Sequence, residues 1–211
     1  MPAKESTKLG LFKPMERRRH RIELKIKTER LKLIPGTIEL LSAELEDLAT
    51  FRQKMELEVP ETWPPDLYDR PAQEFMVNYL KENTDAAGWG SWYLVLNNGD
   101  GYPETLIGIC GFKGKPSPDG AVEIGYSVLT EYQRKGYATE AAKALVDRAF
   151  SYSKVSRVIA ETYPELMSSI RVLAKNGFVL TGTGSEPGVI RYELSRSAYL
   201  KTAEERKKTI K

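Results

Sequence analysis

Histidine and cysteine are almost absent from this chain of 211 residues, which contains one of each. His20 lies in the N-terminal segment, so the remainder lacks the histidine of a Ser-His-Asp or Cys-His mechanism and offers none to zinc. We therefore expect no metal site, and any general base must be a carboxylate, a tyrosine, a lysine or water. Cys110, in the apolar run Leu106–Phe112, is predicted to be a small core residue.

Long apolar segments are also lacking. No run approaches the roughly 18 residues of a membrane-spanning helix, and the charged N-terminus lacks the apolar core of a signal peptide. A single cysteine cannot form an intramolecular disulfide, which fits a reducing compartment. These features predict a cytoplasmic protein without membrane contact. With 41% hydrophobic residues, the chain is long enough for one well-cored domain.

Positive charge is concentrated near the N-terminus. Residues 1–28 hold nine Lys or Arg and three Asp or Glu, a net charge of +6, whereas the whole chain has a net charge of +3. The basic run Arg17–Arg21 is typical of a solvated tail, but it could also contact RNA or another polyanion weakly. The apolar residues that follow alternate with charged ones, as in an edge strand: Ile22, Leu24 and Ile26. We predict a basic extension, residues 1–27, followed by a domain, residues 28–211.

Patterns of apolar residues predict strands and helices in mixed order. Strands are predicted over Glu29–Ile34, Ser91–Leu96, Thr105–Phe112, Ala121–Val128 and Arg157–Thr162, and further strands near Val179 and over Gly188–Leu194. Helices are predicted after the capping residue Thr37, from Pro71, from about Ala138, and from about Leu166 to Lys175. This order predicts an α/β protein with one mixed sheet covered by helices.

The most informative segment lies near the middle of the chain. The predicted strand Ala121–Val128 leads into Gln133-Arg134-Lys135-Gly136-Tyr137-Ala138, and apolar residues then recur at helical spacing as far as Phe150. A helix N-terminus presents unpaired backbone N–H groups and the positive end of the helix dipole, which together suit a diphosphate. Gly136 allows the backbone to turn and a ligand to approach it closely.

This Gln/Arg-x-x-Gly-x-Gly/Ala pattern resembles the acetyl-CoA pyrophosphate loop of the GNAT N-acetyltransferase superfamily. A second block, from Ala160–Pro164 through Ser169–Phe178, resembles the later strand–helix–strand unit of the ribosomal-protein N-terminal acetyltransferase branch. The opening Thr28–Leu33 is similar to the first strand of that branch, so the resemblance spans nearly the whole chain. It implies the GNAT fold, a central mixed, mostly antiparallel sheet that is flanked by helices and splayed at the acyl-CoA site.

The resemblance implies acetyl-CoA as the co-substrate. Its diphosphate is expected at the backbone N–H groups of Lys135 to Thr139, and its pantetheine arm beside the preceding strand. A backbone N–H there, which we assign to Val128, can polarise the thioester carbonyl as an oxyanion develops. The implied cofactor-binding residues are Tyr126, Ser127, Val128, Gln133, Arg134, Lys135, Gly136, Tyr137, Ala138 and Thr139.

Glu123 and Ser169 are the catalytic residues that the resemblance implies. Glu123 is expected to bind the amine or take its proton, although a strand glutamate could equally pair with a lysine. Ser169 is expected to protonate the leaving thiolate, or it bonds only locally as a serine near a helix N-terminus. Trp63 and Tyr68, in a proline-rich loop, are expected to line the acceptor pocket with Glu123, or their rings simply pack on the core.

The implied function is transfer of an acetyl group from acetyl-CoA to a primary amine by direct attack in a ternary complex. The acceptor is a protein N-terminal α-amine or a small-molecule amine, and a monomer or homodimer is expected. Leu166 departs from the branch, which commonly has Asn there, so an amide that usually contacts the cofactor or substrate is missing. One alternative is therefore a GNAT-fold module that binds acyl-CoA without turnover, and another is nucleic-acid binding through residues 13–27.

Overall fold

The computed structural model describes residues 25–99 and 101–209. Its strands are β1 (Ile26–Lys27), β2 (Leu31–Pro35), β3 (Ser91–Leu96), β4 (Thr105–Phe112), β5 (Ala121–Val128), β6 (Arg157–Thr162), β7 (Val179–Thr183) and β8 (Ile190–Ser195). Its helices are α1 (Ile38–Glu46), α2 (Leu48–Met55), α3 (Arg70–Glu82), α4 (Tyr137–Ser151), α5 (Met167–Lys175) and α6 (Arg196–Thr209), with a 3₁₀ turn at Thr130–Tyr132. Within the described ranges, no helix is long and apolar enough to cross a bilayer.

The strands of the described chain form one sheet in the order β1-β2-β3-β4-β5-β6-β8-β7. Neighbouring strands are antiparallel, except for β5 and β6, which are parallel and connected through α4. A parallel pair requires such a crossover because the chain must return to the same end of the sheet. The prediction of a mixed, mostly antiparallel sheet flanked by helices is confirmed.

The sheet separates two hydrophobic clusters. Along β3, Trp92 and Leu94 belong to the first cluster, whereas Tyr93 and Val95 belong to the second, because successive side chains of a strand point to opposite faces. The apolar stripe of α4 packs into the first cluster, and apolar residues of α1, α2 and α3 form the second with the sheet. Each face of the sheet therefore has its own helical cover.

Cys110 lies in β4 within the first cluster and is 3% exposed. Burial in apolar surroundings raises the pKa of its thiol well above the ordinary value. The prediction that Cys110 is a core residue is confirmed.

The helix predicted after Thr37 is divided in two. Asp47 has an extended backbone (φ −154°, ψ 105°) that ends α1, and its carboxylate accepts the N–H groups of Ala49 and Thr50 at the start of α2. Aspartate does this readily because its short side chain reaches the nearby backbone. The leucine spacing continues across the break, so periodicity does not reveal it.

The start of the described chain adds an edge strand. Ile26 pairs with Leu33 across the β1–β2 hairpin, so the alternation seen in the sequence does form a strand at Ile26. His20, the basic run and residues 22 and 24 lie outside the described residues. The division between residues 27 and 28 stays a prediction.

The C-terminal helix α6, which the sequence patterns did not predict, begins at a residue that caps another helix. The Arg196 guanidinium donates to the carbonyls of Phe150 (2.9 Å), Tyr152 (2.5 Å) and Val155 (2.8 Å) at the end of α4. Phe150 and Tyr152 lie at the C-terminal end of α4, near the negative end of the helix dipole, and Val155 lies in the turn that follows, so one cation binds carbonyls of both segments.

Replacing Arg196 by methionine should destabilise the protein. Arg196→Met keeps an apolar stem but removes the donor of the Phe150 and Val155 carbonyls, while Tyr152 keeps the N–H of Val155, so we expect the free energy of unfolding to fall by about 1–3 kcal/mol. Urea denaturation measures the change, and Lys201→Met, at an exposed position of the same helix, is the control. Equal midpoints for the two variants would contradict the capping role.

Candidate functional site

The parallel pair β5–β6 is short and then opens. Residues 121–123 of β5 pair with residues 157–159 of β6, and the register ends at Glu123 and Ile159. Beyond this point, among the described strands, β5 pairs only with β4, while β6 continues against β8. A gap therefore opens between β5 and β6, on the side of β5 that runs from Ile124 to Val128. This is the splay expected from the sequence.

The backbone of β5 faces this gap at alternate residues. Leu129 N–H donates to the carbonyl of Ile107, so odd-numbered residues of this stretch bond to β4. Because backbone groups alternate between the two edges of a strand, those of Tyr126 and Val128 point towards the gap. There the Val128 carbonyl accepts Nε2 of Gln133 at 3.0 Å. The geometry leaves the Val128 N–H directed to the place where the sequence predicts a thioester.

The loop after β5 ends in a concave turn at the start of α4. Arg134 (φ 61°) and Gly136 (φ 88°, ψ 0°) are both left-handed, an arrangement that turns successive N–H groups towards one side. No side chain caps α4 at Gly136, so the first N–H groups of the helix, including those of Ala138 and Thr139, have no partner from the helix itself. The predicted diphosphate residues thus lie together around one helix N-terminus.

The side chains of this loop are partly engaged with the protein. Lys135 Nζ donates to the carbonyl of Glu131 and lies 5.3 Å from the centre of the Tyr132 ring. Gln133 and Arg134 are exposed, and Gln133 bonds to β5 as described above. Cationic contacts from these residues to a diphosphate stay a prediction.

Arg30, which the sequence did not single out, holds the loop from the β1–β2 hairpin. Its Nη1 donates to the Lys135 carbonyl at 2.9 Å, its guanidinium lies 4.6 Å from the centre of the Tyr137 ring, and its Nε donates to Glu140 at 2.7 Å. Burial opposes ionisation of Glu140, but hydrogen bonds from Thr28 and Arg30 outweigh it and hold the pKa of Glu140 below its ordinary value. No local pattern indicates this contact, which joins residues more than 100 positions apart.

Glu123 lies at the mouth of the gap. Its carboxylate forms an ion pair with Lys113, which directly follows β4 and whose backbone N–H donates to the Glu123 carbonyl. Arg191 of β8 is close enough to interact electrostatically with the Glu123 carboxylate. Its side chain is 20% exposed, and Oε1 is buried without meeting hydrogen-bond geometry to any described residue. The lysine pair that the sequence left open is present, and the role of Glu123 as a base stays a prediction.

Tyr126 and Ser169, which are 43 residues apart, meet beside the gap. The Tyr126 hydroxyl donates to the Ser169 carbonyl at 3.2 Å and lies 3.2 Å from its Oγ. Burial raises the pKa of Tyr126 to about 12, although the bond with Ser169 opposes the rise. Tyr126 is therefore protonated at neutral pH, and two hydroxyl groups are available near the expected position of the cofactor sulfur.

Residues 57–69, between α2 and α3, cross the other face of β5, and we call this segment the strap. Ser127 Oγ donates to the carbonyl of Asp66 in the strap, so its side chain holds the strap. Trp63 and Tyr68 are 3% and 7% exposed, in the second cluster. The structure thus favours the core-packing alternative for both rings, and their contact with an acceptor stays a prediction.

A buried carboxylate, Glu44 of α1, binds these two rings. It accepts Trp63 Nε1 (2.9 Å), the Tyr68 hydroxyl (3.2 Å) and the Tyr93 hydroxyl (2.6 Å). Burial raises the pKa of Glu44 to about 7, and the three hydrogen bonds limit the rise. Glu44 was not predicted as a functional residue. The feature that could have indicated it is a glutamate on the apolar face of a helix, three residues after Leu41.

Leu166, where the related branch commonly has Asn, occupies the N-cap position of α5 and provides no side-chain hydrogen bond there. A leucine cannot accept the N–H groups that begin a helix. The departure noted in the sequence therefore leaves the N-terminus of α5, next to Ser169, without a side-chain cap.

Comparison with known proteins identifies the family. A model of the GNAT acetyltransferase domain matches residues 37–179. The chain is 32% identical over 162 residues to the uncharacterized N-acetyltransferase YjdG of Bacillus subtilis, covering 76% of this chain and 93% of that protein. It is also 44% identical over 55 residues to YnaD of the same species, covering 26% of this chain and 32% of that protein. The chain belongs to the GNAT acetyltransferase family and is an N-acetyltransferase.

Solved structures share the fold at lower identity. RimL, a ribosomal L7/L12 alpha-N-protein acetyltransferase in complex with coenzyme A, has a TM-score of 0.57 and 17% identity, covering 82% of this chain and 99% of that one. The aminoglycoside acetyltransferase AAC(6')-Ib, in complex with coenzyme A, has a TM-score of 0.56 and 19% identity, with the same two coverages, 82% and 99%. These matches establish the GNAT fold, so the resemblance inferred from the loop and the second block is confirmed.

An asparagine at position 166 should stabilise α5. A capping side chain is worth about 0.5–2 kcal/mol relative to alanine, so we expect Leu166→Asn to exceed Leu166→Ala by that amount in free energy of unfolding. Both variants remove the leucine contacts, and the comparison isolates the cap. Urea denaturation gives the two values, and equal stabilities would show that α5 needs no side-chain acceptor.

Proposed function

We propose that this N-acetyltransferase binds acetyl-CoA in the gap between β5 and β6 and transfers the acetyl group directly to a primary amine. The observation that carries the proposal is the gap itself, which opens directly after Glu123 and leads to the N-terminus of α4. An extended arm can bond to the uncovered edge of β5 while a diphosphate binds the N–H groups that follow Lys135. Acetyl-CoA joins a diphosphate to an extended thioester arm and has this shape.

In the proposed reaction, the neutral amine attacks the thioester carbonyl, a C–N bond forms and the C–S bond breaks. The Val128 N–H, on the uncovered edge of β5, stabilises the oxyanion. Glu123 takes the amine proton directly or through water, because an amine must be neutral to attack. The CoA thiolate receives a proton from water through the Ser169 hydroxyl, which lies beside that of Tyr126, and Glu123 returns the amine proton to solvent.

The ion pair between Glu123 and Lys113 supports an amine-binding role. Lys113 Nζ is itself a primary ammonium in contact with this carboxylate, so a group of that size and charge fits there. Lys113 is 55% exposed and can move aside when an acceptor arrives. The acceptor and Lys113 then compete for the same oxygen.

The acceptor class can be decided by a panel. RimL acts by its name on a protein α-amine and AAC(6')-Ib on an aminoglycoside, and both share this fold equally well. An α-amine has a pKa of about 8, lower than that of a lysine side chain, and is neutral more often at pH 7. The panel should contain peptides with free and blocked N-termini, a polyamine and an aminoglycoside, with product mass and CoA thiol as readouts. Absence of product from every primary amine would contradict the proposal.

Acetyl-CoA should raise the melting temperature of the protein, and Gly136→Val should abolish the rise. A ligand that binds only the folded state stabilises it by mass action. A valine at Gly136 places a β-branched side chain where the diphosphate must approach and strains a left-handed residue (φ 88°). Thermal denaturation with and without acetyl-CoA measures the shift of each variant against its own unliganded state.

Gly188→Val is the matched control for this experiment. Gly188 is also left-handed (φ 82°) with open space around it, but it lies in the β7–β8 turn. The control should lose stability through strain and keep the full shift with acetyl-CoA. A full shift in Gly136→Val as well would contradict the assignment of the loop.

Turnover should fall about 10²- to 10⁴-fold at pH 7 in Glu123→Gln, the usual contribution of a general base. Glutamine keeps the size of the side chain but cannot take the proton. The defect should shrink as the pH approaches the pKa of the acceptor, because more amine is then already neutral. Turnover with one confirmed acceptor, measured from pH 6.5 to 9.5, gives the profile.

Glu193→Gln controls for loss of a carboxylate on the same face of the sheet. Glu193 lies on β8 opposite Ile159, so β6 separates it from Glu123 and the edge of β5, and it pairs loosely with Arg157 at 3.8 Å. It should retain normal turnover. If the turnover of Glu123→Gln equalled that of Glu193→Gln across the whole pH range, water, Tyr126 or a substrate group would have to be the base.

A further inference from the structure

The strap is held at its outer side by two contacts to elements of the proposed site. Thr62 Oγ1 donates to Glu131 at 2.5 Å, in the 3₁₀ turn that precedes the diphosphate loop. Ser127 lies on β5, four residues after Glu123, and its Oγ donates to the Asp66 carbonyl. The strap therefore crosses the face of β5 on which an acceptor must approach. Both contacts are exposed and single, so they do not fix the strap alone.

The strong attachment of the strap lies inside, at Glu44. Tyr93 belongs to β3, whereas Trp63 and Tyr68 belong to the strap, so one carboxylate joins the strap to the sheet. Glu44 is 4% exposed, and without its carboxylate three donors would lie unpaired in an apolar cluster. At its start the strap is also bonded to the beginning of β4: the Glu58 N–H donates to Glu104, its carbonyl accepts from Leu106, and its carboxylate accepts the Thr105 hydroxyl. Glu44 is therefore the buried attachment of the later part of the strap, from Trp63 to Tyr68.

We infer that Glu44 is a positioning residue for acetyl transfer, which fixes the strap across β5 and so shapes the acceptor side of the site. The inference rests on the proposed function for its effect on an acceptor, but the effect on the strap is independent of it. Glu44 touches neither the gap nor the diphosphate loop, so its influence passes through Trp63 and Tyr68.

The strap places a strained residue over the site. Leu67 is left-handed (φ 64°) and 74% exposed, between Asp66, which is bound to Ser127, and Tyr68, which is bound to Glu44. A leucine adopts this conformation only when neighbouring contacts impose it. Release of Tyr68 would let Leu67 relax and would change the surface that an acceptor meets.

The attachment depends on pH through burial of the carboxylate. The titratable groups that face Glu44 are Tyr93 of β3 and Tyr68 of the strap, and burial raises the pKa of both, so neither ionises near neutral pH. Arg52 of α2 bonds to Pro60 in the strap and pairs with Glu61. With the strap in place the pKa of Glu44 is about 7, and with the strap released and the carboxylate hydrated it returns towards 4.5.

The direction of the pH dependence follows from these two pKa values of Glu44. The attached strap holds the proton more tightly than the released strap, so attachment is fully stable below about pH 4.5 and weakens as the pH rises through about 7. Between these two pH values the equilibrium should shift towards release by up to about tenfold per pH unit, and above about pH 7 the shift levels off because the carboxylate is ionised in both states. A glutamine at position 44 cannot ionise and should keep the strap attached at every pH.

The experiment compares wild type, Glu44→Gln, Glu44→Leu and Glu46→Gln. Glu46 is an exposed glutamate of the same helix and serves as the control. Hydrogen exchange of the strap, expressed as protection factors at pH 5, 6 and 7, reports attachment. The KM for one acceptor and the Kd for acetyl-CoA at the same pH values report its consequence.

We expect strap protection to fall by up to about tenfold per pH unit between pH 5 and 7 in wild type and Glu46→Gln, and to stay constant in Glu44→Gln. Because the ionisation of the acceptor affects all variants equally, the KM of wild type relative to Glu44→Gln should rise with the loss of protection. Glu44→Leu should lose protection at pH 5 already, and the Kd for acetyl-CoA should change less than twofold in Glu44→Gln.

Two results would overturn the inference. One is strap protection that is independent of pH in wild type, or that falls equally in Glu44→Gln. The other is a loss of protection without any change in the relative KM for the acceptor. If wild type acetylated no amine, the proposed function would fail instead, and the exchange data would still decide whether Glu44 holds the strap.

Discussion

The site depends on the point at which β5 and β6 stop sharing hydrogen bonds. Buried backbone groups must have partners, so a strand edge that loses its neighbour within a sheet is an unusual opening. Here the edge runs from Ile124 to Val128, and the same strand continues into the turn at Gly136. The two halves of the proposed acyl-CoA site, one for the arm and one for the diphosphate, are therefore consecutive segments of one chain. Their relative position follows from the parallel crossover through α4.

The elements around this opening are held by charged side chains that each bind several groups. Glu140 joins Thr28 and Arg30 to the first turn of α4, Glu44 joins the strap to β3, and Arg196 joins α6 to the end of α4. Such groups differ from exposed single pairs like Lys143–Asp147, which contribute little because water and salt screen them. In each case a partly or fully buried charge satisfies partners from elements that are distant in sequence.

The parts of the fold that local patterns describe were predicted well. The bounds of β3, β4, β5 and β6 agree with the structure, because continuous apolar runs mark β3 and β4 and apolar residues at alternate positions mark β5 and β6. α6 was missed because its sequence carries few apolar residues and its first residue acts through contacts to α4. The break between α1 and α2 depends on one aspartate within a continuing leucine pattern.

The candidate site was predicted where it consists of backbone and missed where it consists of long-range contacts. The turn at Gly136 can be recognised because only a glycine suits such a conformation beside a ligand. Arg30 and Lys113 act through partners that lie elsewhere in the sequence, so no spacing reveals them. For Trp63 and Tyr68 the sequence left open whether the rings line the acceptor pocket or pack on the core, because their direction depends on Glu44, which is distant in sequence.

The isolation of Cys110 has a practical consequence. It is the single thiol of the chain, it lies in the central strand β4, and its raised pKa keeps it protonated. A disulfide reagent reacts with thiolates, so it does not react with Cys110 in the native protein. An assay with such a reagent therefore measures only the thiol of the CoA that the reaction releases. The same thiol becomes reactive only when the sheet opens, which makes its labelling rate a direct report of global unfolding, from the face of the sheet opposite the rings of the strap.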